Sequence, residues 1–108
     1  MATQSGNLLD EIPEELAEEL FEKLVEGKEF RVQRIVSKGH TAPESGWFDQ
    51  EEHEWVLVVK GEARVSFDNG DVEHLSAGSY LNIPARTKHR VSWTSPHTET
   101  VWIAIHYR

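Results

Sequence analysis

His89 is the residue whose setting most invites chemistry. In HRVSWT (89–94), His89, Val91 and Trp93 alternate with Arg90, Ser92 and Thr94. A strand has a period of two, so His89 falls on the apolar side. An inward imidazole is either a core residue with one bonded nitrogen or a metal ligand or general base. Glu54 is the second such residue. It opens EWVLVVK (54–60) and shares a face with Val56 and Val58, whereas His53 shares the opposite face with Trp55 and Leu57. Glu54 either reaches water at the strand end or sits at a partly dry rim, where a carboxylate must be paired, protonated or bound to a cation. Just before it stand Asp49, Gln50, Glu51, Glu52 and His53. His53 and Glu54 point to opposite faces, so they would serve one site only through a bulge. His40 and His97 lie in loop composition and read as solvated. His74 and His106 lie on strands, with no specific role assigned to them.

These residues need a frame. DEIPEELAEELFEKLVEG (10–27) carries Leu16, Leu20 and Leu24 at i, i+4 and i+8, with Pro13 near its start and Gly27 at its end. That spacing predicts one amphipathic α-helix over 10–27, after a flexible N-terminus over 1–9. From 28 to 108 the period changes to two. Short apolar or alternating runs at 30–37, 54–60, 62–67, 71–75, 79–84, 89–94 and 100–107 predict strands. Asn69-Gly70 between two of them predicts a hairpin, because both residue types tolerate positive φ. The expected class is all-β, an antiparallel sandwich or barrel.

The 108 residues suit one domain. With no cysteine, disulfides, thiolate metal sites and thiol nucleophiles are excluded. Eleven basic against nineteen acidic residues give a net charge of −8, the wrong sign for a nucleic-acid binder. No apolar run reaches the roughly 20 residues that span a bilayer. The first residues lack a basic stretch followed by an apolar one, so a cytoplasmic protein is expected. Runs 54–60 and 100–107 are apolar on both faces, which predicts a covering partner and hence a homodimer.

The segment from Gly39 to Trp93 resembles the two-motif core of the cupin superfamily. Glu54, six residues, then Gly61 matches the second half of the first motif. Gly78, SYLNI, Pro84 and then His89 match the second motif through its histidine. The resemblance implies a small single-domain cupin of bacterial type: a double-stranded β-helix, or jelly-roll barrel. It also implies a divalent metal, Mn, Fe or Zn, in the barrel. The first motif's two histidines are missing. Trp47 and Asp49 stand there in one register, Phe48 and Gln50 in the other. Arg86 replaces the second motif's glycine, and Trp93 its asparagine. The implied metal ligands are therefore Glu54 and His89, with Asp49 or Gln50 in support. An alternative is a metal-free cupin that binds an aromatic, sugar-like or anionic small molecule between Trp47, Trp93 and Arg86. A structural or regulatory dimer is the third reading.

Overall fold

The computed structural model describes residues 3–108, and they form eight strands with no helix among them. The strands are β1 (Leu20–Glu26), β2 (Phe30–Ser37), β3 (His53–Lys60), β4 (Glu62–Phe67), β5 (Val72–Ser76), β6 (Tyr80–Ile83), β7 (His89–Thr94) and β8 (Thr100–Tyr107). They build a five-stranded sheet, ordered β1-β2-β8-β3-β6, and a three-stranded sheet, ordered β5-β4-β7. Every pairing is antiparallel. The inner faces enclose a core of Val56, Val58, Ala63, Val65, Leu75, Trp102 and Ala104.

Turns fall where the chain carries glycine. Gly70 takes φ 97° in the Asn69-Gly70 hairpin between β4 and β5. Gly61 takes φ 93° where the chain leaves one sheet for the other, and a Cβ there would lie 2.7 Å from Thr100 Cα. Only glycine meets both demands at that crossing.

The helix expected over 10–27 does not form. Its second half is β1, hydrogen-bonded along the edge of β2, and Gly27 sits in the hairpin between them, its N–H donating to Phe30 O at 2.9 Å. The reason lies on β2. Arg34 is buried, and an extended β1 sets Glu22 directly opposite it, where the two form an ion pair. The same guanidinium donates to the carbonyls of Leu8 (3.1 Å), Asp10 (2.7 Å) and Glu11 (3.4 Å). Sheet pairing and a satisfied buried charge outweigh the weak helical preference of the leucine pattern. The flexible stretch expected over 1–9 falls partly on residues 1 and 2, which lie outside the described residues; Leu8 is held by Arg34. No helix of the described residues is long and apolar enough to cross a membrane.

Candidate functional site

Three strands bring three ionisable side chains to one point between the sheets. β3 carries Glu54, its second residue, on its inner face. β8 runs beside it, with His106 directly opposite Glu54. β7, from the other sheet, contributes His89 at its first residue. All three are buried. His89 Nε2 lies 3.2 Å from Glu54 Oε1, and His106 Nε2 lies 3.5 Å from Glu54 Oε2.

Hydrogen bonding sets the tautomer at one ring. His89 Nδ1 lies 2.8 Å from Thr87 O, which can only accept, so Nδ1 carries a proton. In the neutral ring, Nε2 then holds a lone pair that faces a carboxylate oxygen. Two acceptors at that distance need a proton or a cation between them. Burial pulls the His89 pKa down, but the hydrogen bonds to Glu54 and Thr87, with the Glu54 charge, lift it above the ordinary histidine value. Burial also acts on His106 and there it prevails: its pKa is lowered, despite the opposing Glu54 charge. In the absence of a cation the raised pKa favours a proton between His89 and Glu54, and the lowered one favours a neutral His106.

These groups line a cavity of about 220 Å³. Its walls include Ile35, Phe48, Val56, Val65, Ile83 and Val91, with Glu19, Arg31 and Gln33 also on its surface. Phe48 is tied to β7 by two backbone bonds to His89, of 2.8 and 3.1 Å. Gln50 lines the cavity too, and its buried Oε1 has no protein partner. Glu19 accepts from Ser37 Oγ at 2.9 Å, and burial raises its pKa more than that bond and the His40 charge lower it.

The remaining candidates lie elsewhere. Asp49 is outside the cavity, 3.4 Å from Arg86 Nη1, and Arg86 Nη2 lies 3.3 Å from Glu51. Arg86 is exposed and takes φ 63°, the conformation that the family's glycine would adopt freely. Its N–H donates to Gln50 O at 2.8 Å, which ties the 49–51 loop to the turn before β7. Trp47 is exposed and does not line the cavity. Trp93 faces outward, its ring 5.0 Å from the Arg64 guanidinium and edge-on to His74. A bulge explains this. The β4–β7 register slips between Arg64 and Val65, so Thr94 rather than Trp93 takes the inner place opposite Ala63. His53 packs on Tyr107, outside the cavity, and accepts from Ala85 N–H at 2.9 Å. His40 accepts from Lys38 N–H, a local structural bond.

Sequence reasoning passed over His106. The signal was present: in TVWIAIHY, His106 shares its parity with Trp102 and Ala104, the inner face of β8.

Glu54, two imidazole nitrogens and the Gln50 amide oxygen form a donor set of the kind that suits Zn²⁺, Fe²⁺ or Mn²⁺. The Thr87 carbonyl behind His89 is the outer partner that such a ligand requires. Among the described residues, no group of three or more His, Cys, Asp or Glu side chains is set to hold a metal ion. The imidazoles instead touch the carboxylate directly.

No curated protein matches the chain. Solved structures do. A Ralstonia eutropha JMP134 protein with a provisional mannose-6-phosphate isomerase assignment is 35% identical, with 97% of this chain and 98% of that chain covered and a TM-score of 0.92. An RmlC-like cupin from Desulfovibrio desulfuricans is 22% identical over 97% of each chain, with a TM-score of 0.74. A Streptococcus pyogenes protein of unknown function is 16% identical over 100% of this chain and 90% of that one, with a TM-score of 0.77. The last two likenesses show the fold alone. The family model for the cupin domain matches residues 26–106, which span all but the first of the strands that frame Glu54, His89 and His106. The chain belongs to the cupin domain family.

Proposed function

We propose that this cupin binds a divalent metal through Glu54, His89 and His106, with the Gln50 amide oxygen as a further ligand, and holds a small organic molecule in the cavity above it. One observation carries the reading: His89 Nε2 and Glu54 Oε1 face each other at 3.2 Å while His89 Nδ1 is committed to Thr87 O. A cation satisfies both atoms at once. When bound, the metal would act as a Lewis acid towards a ligand oxygen. Glu54 and the two imidazoles would hold it, Thr87 O would keep the His89 ring oriented, and the apolar walls would exclude water.

A second reading is a metal-free binder, in which a proton rather than a cation joins His89 to Glu54. The direct contacts between these side chains favour it. A homodimer accompanies both readings. Trp55, Leu57, Tyr80, Ile103 and Ile105 share the outer face of the five-stranded sheet, where an apolar surface is expected to be covered.

Melting curves separate the two. On adding Mn²⁺, Fe²⁺ or Zn²⁺ to chelator-treated protein, a metal present at 100 times its Kd adds about 2.7 kcal/mol, roughly 10 °C for a domain of this size. His106→Ala should abolish the gain. If none of the three ions moves the melting temperature, the metal reading falls and the proton reading stands.

A further inference from the structure

The cavity's unsatisfied atoms, walls and charges together describe a ligand. We infer that it is a small, largely apolar organic molecule carrying an acceptor oxygen, of which a ketone is the simplest probe, that this oxygen accepts a hydrogen bond from the Trp102 indole N–H, and that the ligand is not a sugar phosphate. The inference rests on the cavity being the ligand site, as proposed above, and not on which ion the site holds.

Four buried side-chain polar atoms of the described residues have no protein partner: Gln50 Oε1, Arg90 Nε, Trp102 Nε1 and His106 Nδ1. Three of the four belong to residues lining this one cavity. Native proteins leave few buried groups unpaired, so three at one site point to something that pairs them. Trp102 is 3% exposed, and its indole can only donate. What meets it must therefore be an acceptor. Gln50 Oε1 could be met by a cation or a donor; the Trp102 Nε1–H is a donor only and needs an acceptor oxygen.

Much of the wall is apolar. Ile35, Val56, Val65, Ile83 and Val91 offer no hydrogen bonds to a ring of hydroxyls. At about 220 Å³ the space lies below the range of drug-sized sites, about 300–1,000 Å³. The protein's own charges make no cradle for a dianion. Arg31 is the one lysine or arginine lining the cavity among the described residues, and its Nη1 is already committed to Glu52 at 2.6 Å. Glu19 and Glu54 line the same space, so a phosphate would be buried beside two carboxylates. No helix among the described residues presents an N-terminus to a phosphate. The sugar-phosphate assignment of the Ralstonia relative thus finds no matching cradle here.

The test is the indole N–H region of the ¹⁵N NMR spectrum of the whole chain, which holds four tryptophans. Trp102→Phe assigns the Trp102 signal; if that variant fails to fold, Trp47→Phe, Trp55→Phe and Trp93→Phe assign it by elimination. Cyclohexanone should move the Trp102 signal downfield in a saturable way, methylcyclohexane should not, and mannose 6-phosphate should leave it in place. In Trp102→Phe the affinity for cyclohexanone should drop about five- to tenfold, the worth of one hydrogen bond, with methylcyclohexane unchanged. A Trp102 signal that moves with mannose 6-phosphate or inorganic phosphate overturns the inference, and so does one that ignores cyclohexanone. The titration is run in chelator and again with Zn²⁺. A carbonyl response in chelator stands even if the metal reading fails in the melting curves.

Discussion

Glu54 and Asp49 are near neighbours in sequence, yet one is buried between two imidazoles and the other is exposed against Arg86. The first lies on a strand whose partners on both sides are fixed by ladders, so its parity decides its surroundings. The second lies in a loop held by a backbone bond and two ion pairs of exposed side chains. Counting residues thus places a side chain well on β3 and β7, and less well in the loop, where Gln50 lines the cavity and Asp49 does not. The same holds for aromatic residues: Trp102 on β8 lines the cavity, whereas a one-residue bulge turns Trp93 out.

Substitutions can break this contrast. Glu54→Ala, in chelator, strips His89 and His106 of their shared partner inside the core and should cost about 2–3 kcal/mol in urea unfolding. Asp49→Ala should stay within about 0.5 kcal/mol, as exposed ion pairs do. Equal losses would erase the distinction between floor and rim.

Glu19, on the cavity wall, gives a pH-dependent version of the contrast. Burial raises its folded pKa, so the folded state holds this proton more tightly than the unfolded chain. Its contribution is present below the usual glutamate pKa, about 4.3, and is lost as pH rises through the raised value. Glu19→Gln keeps an acceptor for Ser37 and removes that loss. The variant should melt above the parent at pH 7, with the gap closing below about pH 4. A gap that is constant with pH would show that Glu19 does not titrate as a buried group.

The smallest expected effect is at the rim. Arg86→Gly removes the left-handed strain but adds freedom to the unfolded chain, so stability should be unchanged or raised by less than about 1 kcal/mol. A loss above about 1 kcal/mol would make the Arg86 ion pairs more than surface contacts.

Much of this was legible in the sequence, for a physical reason. Alternation and turn glycines are local signals, so seven of the strand runs, the Asn69-Gly70 hairpin and the inward sides of Glu54 and His89 could be read from single segments. The failures all needed a partner segment. β1 is extended because Glu22 must meet Arg34 on β2. Trp93 faces out because β7 slips against β4. The parity of TVWIAIHY puts His106 on the inner side of its strand, but its place opposite Glu54 depends on β8 lying beside β3.

The most direct test is elemental analysis of natively purified protein, with His106→Ala and Asp49→Ala beside it. The account predicts about one divalent metal per chain in the parent and in Asp49→Ala, and none in His106→Ala. Metal kept in His106→Ala but lost in Asp49→Ala would move the site to the rim and contradict it.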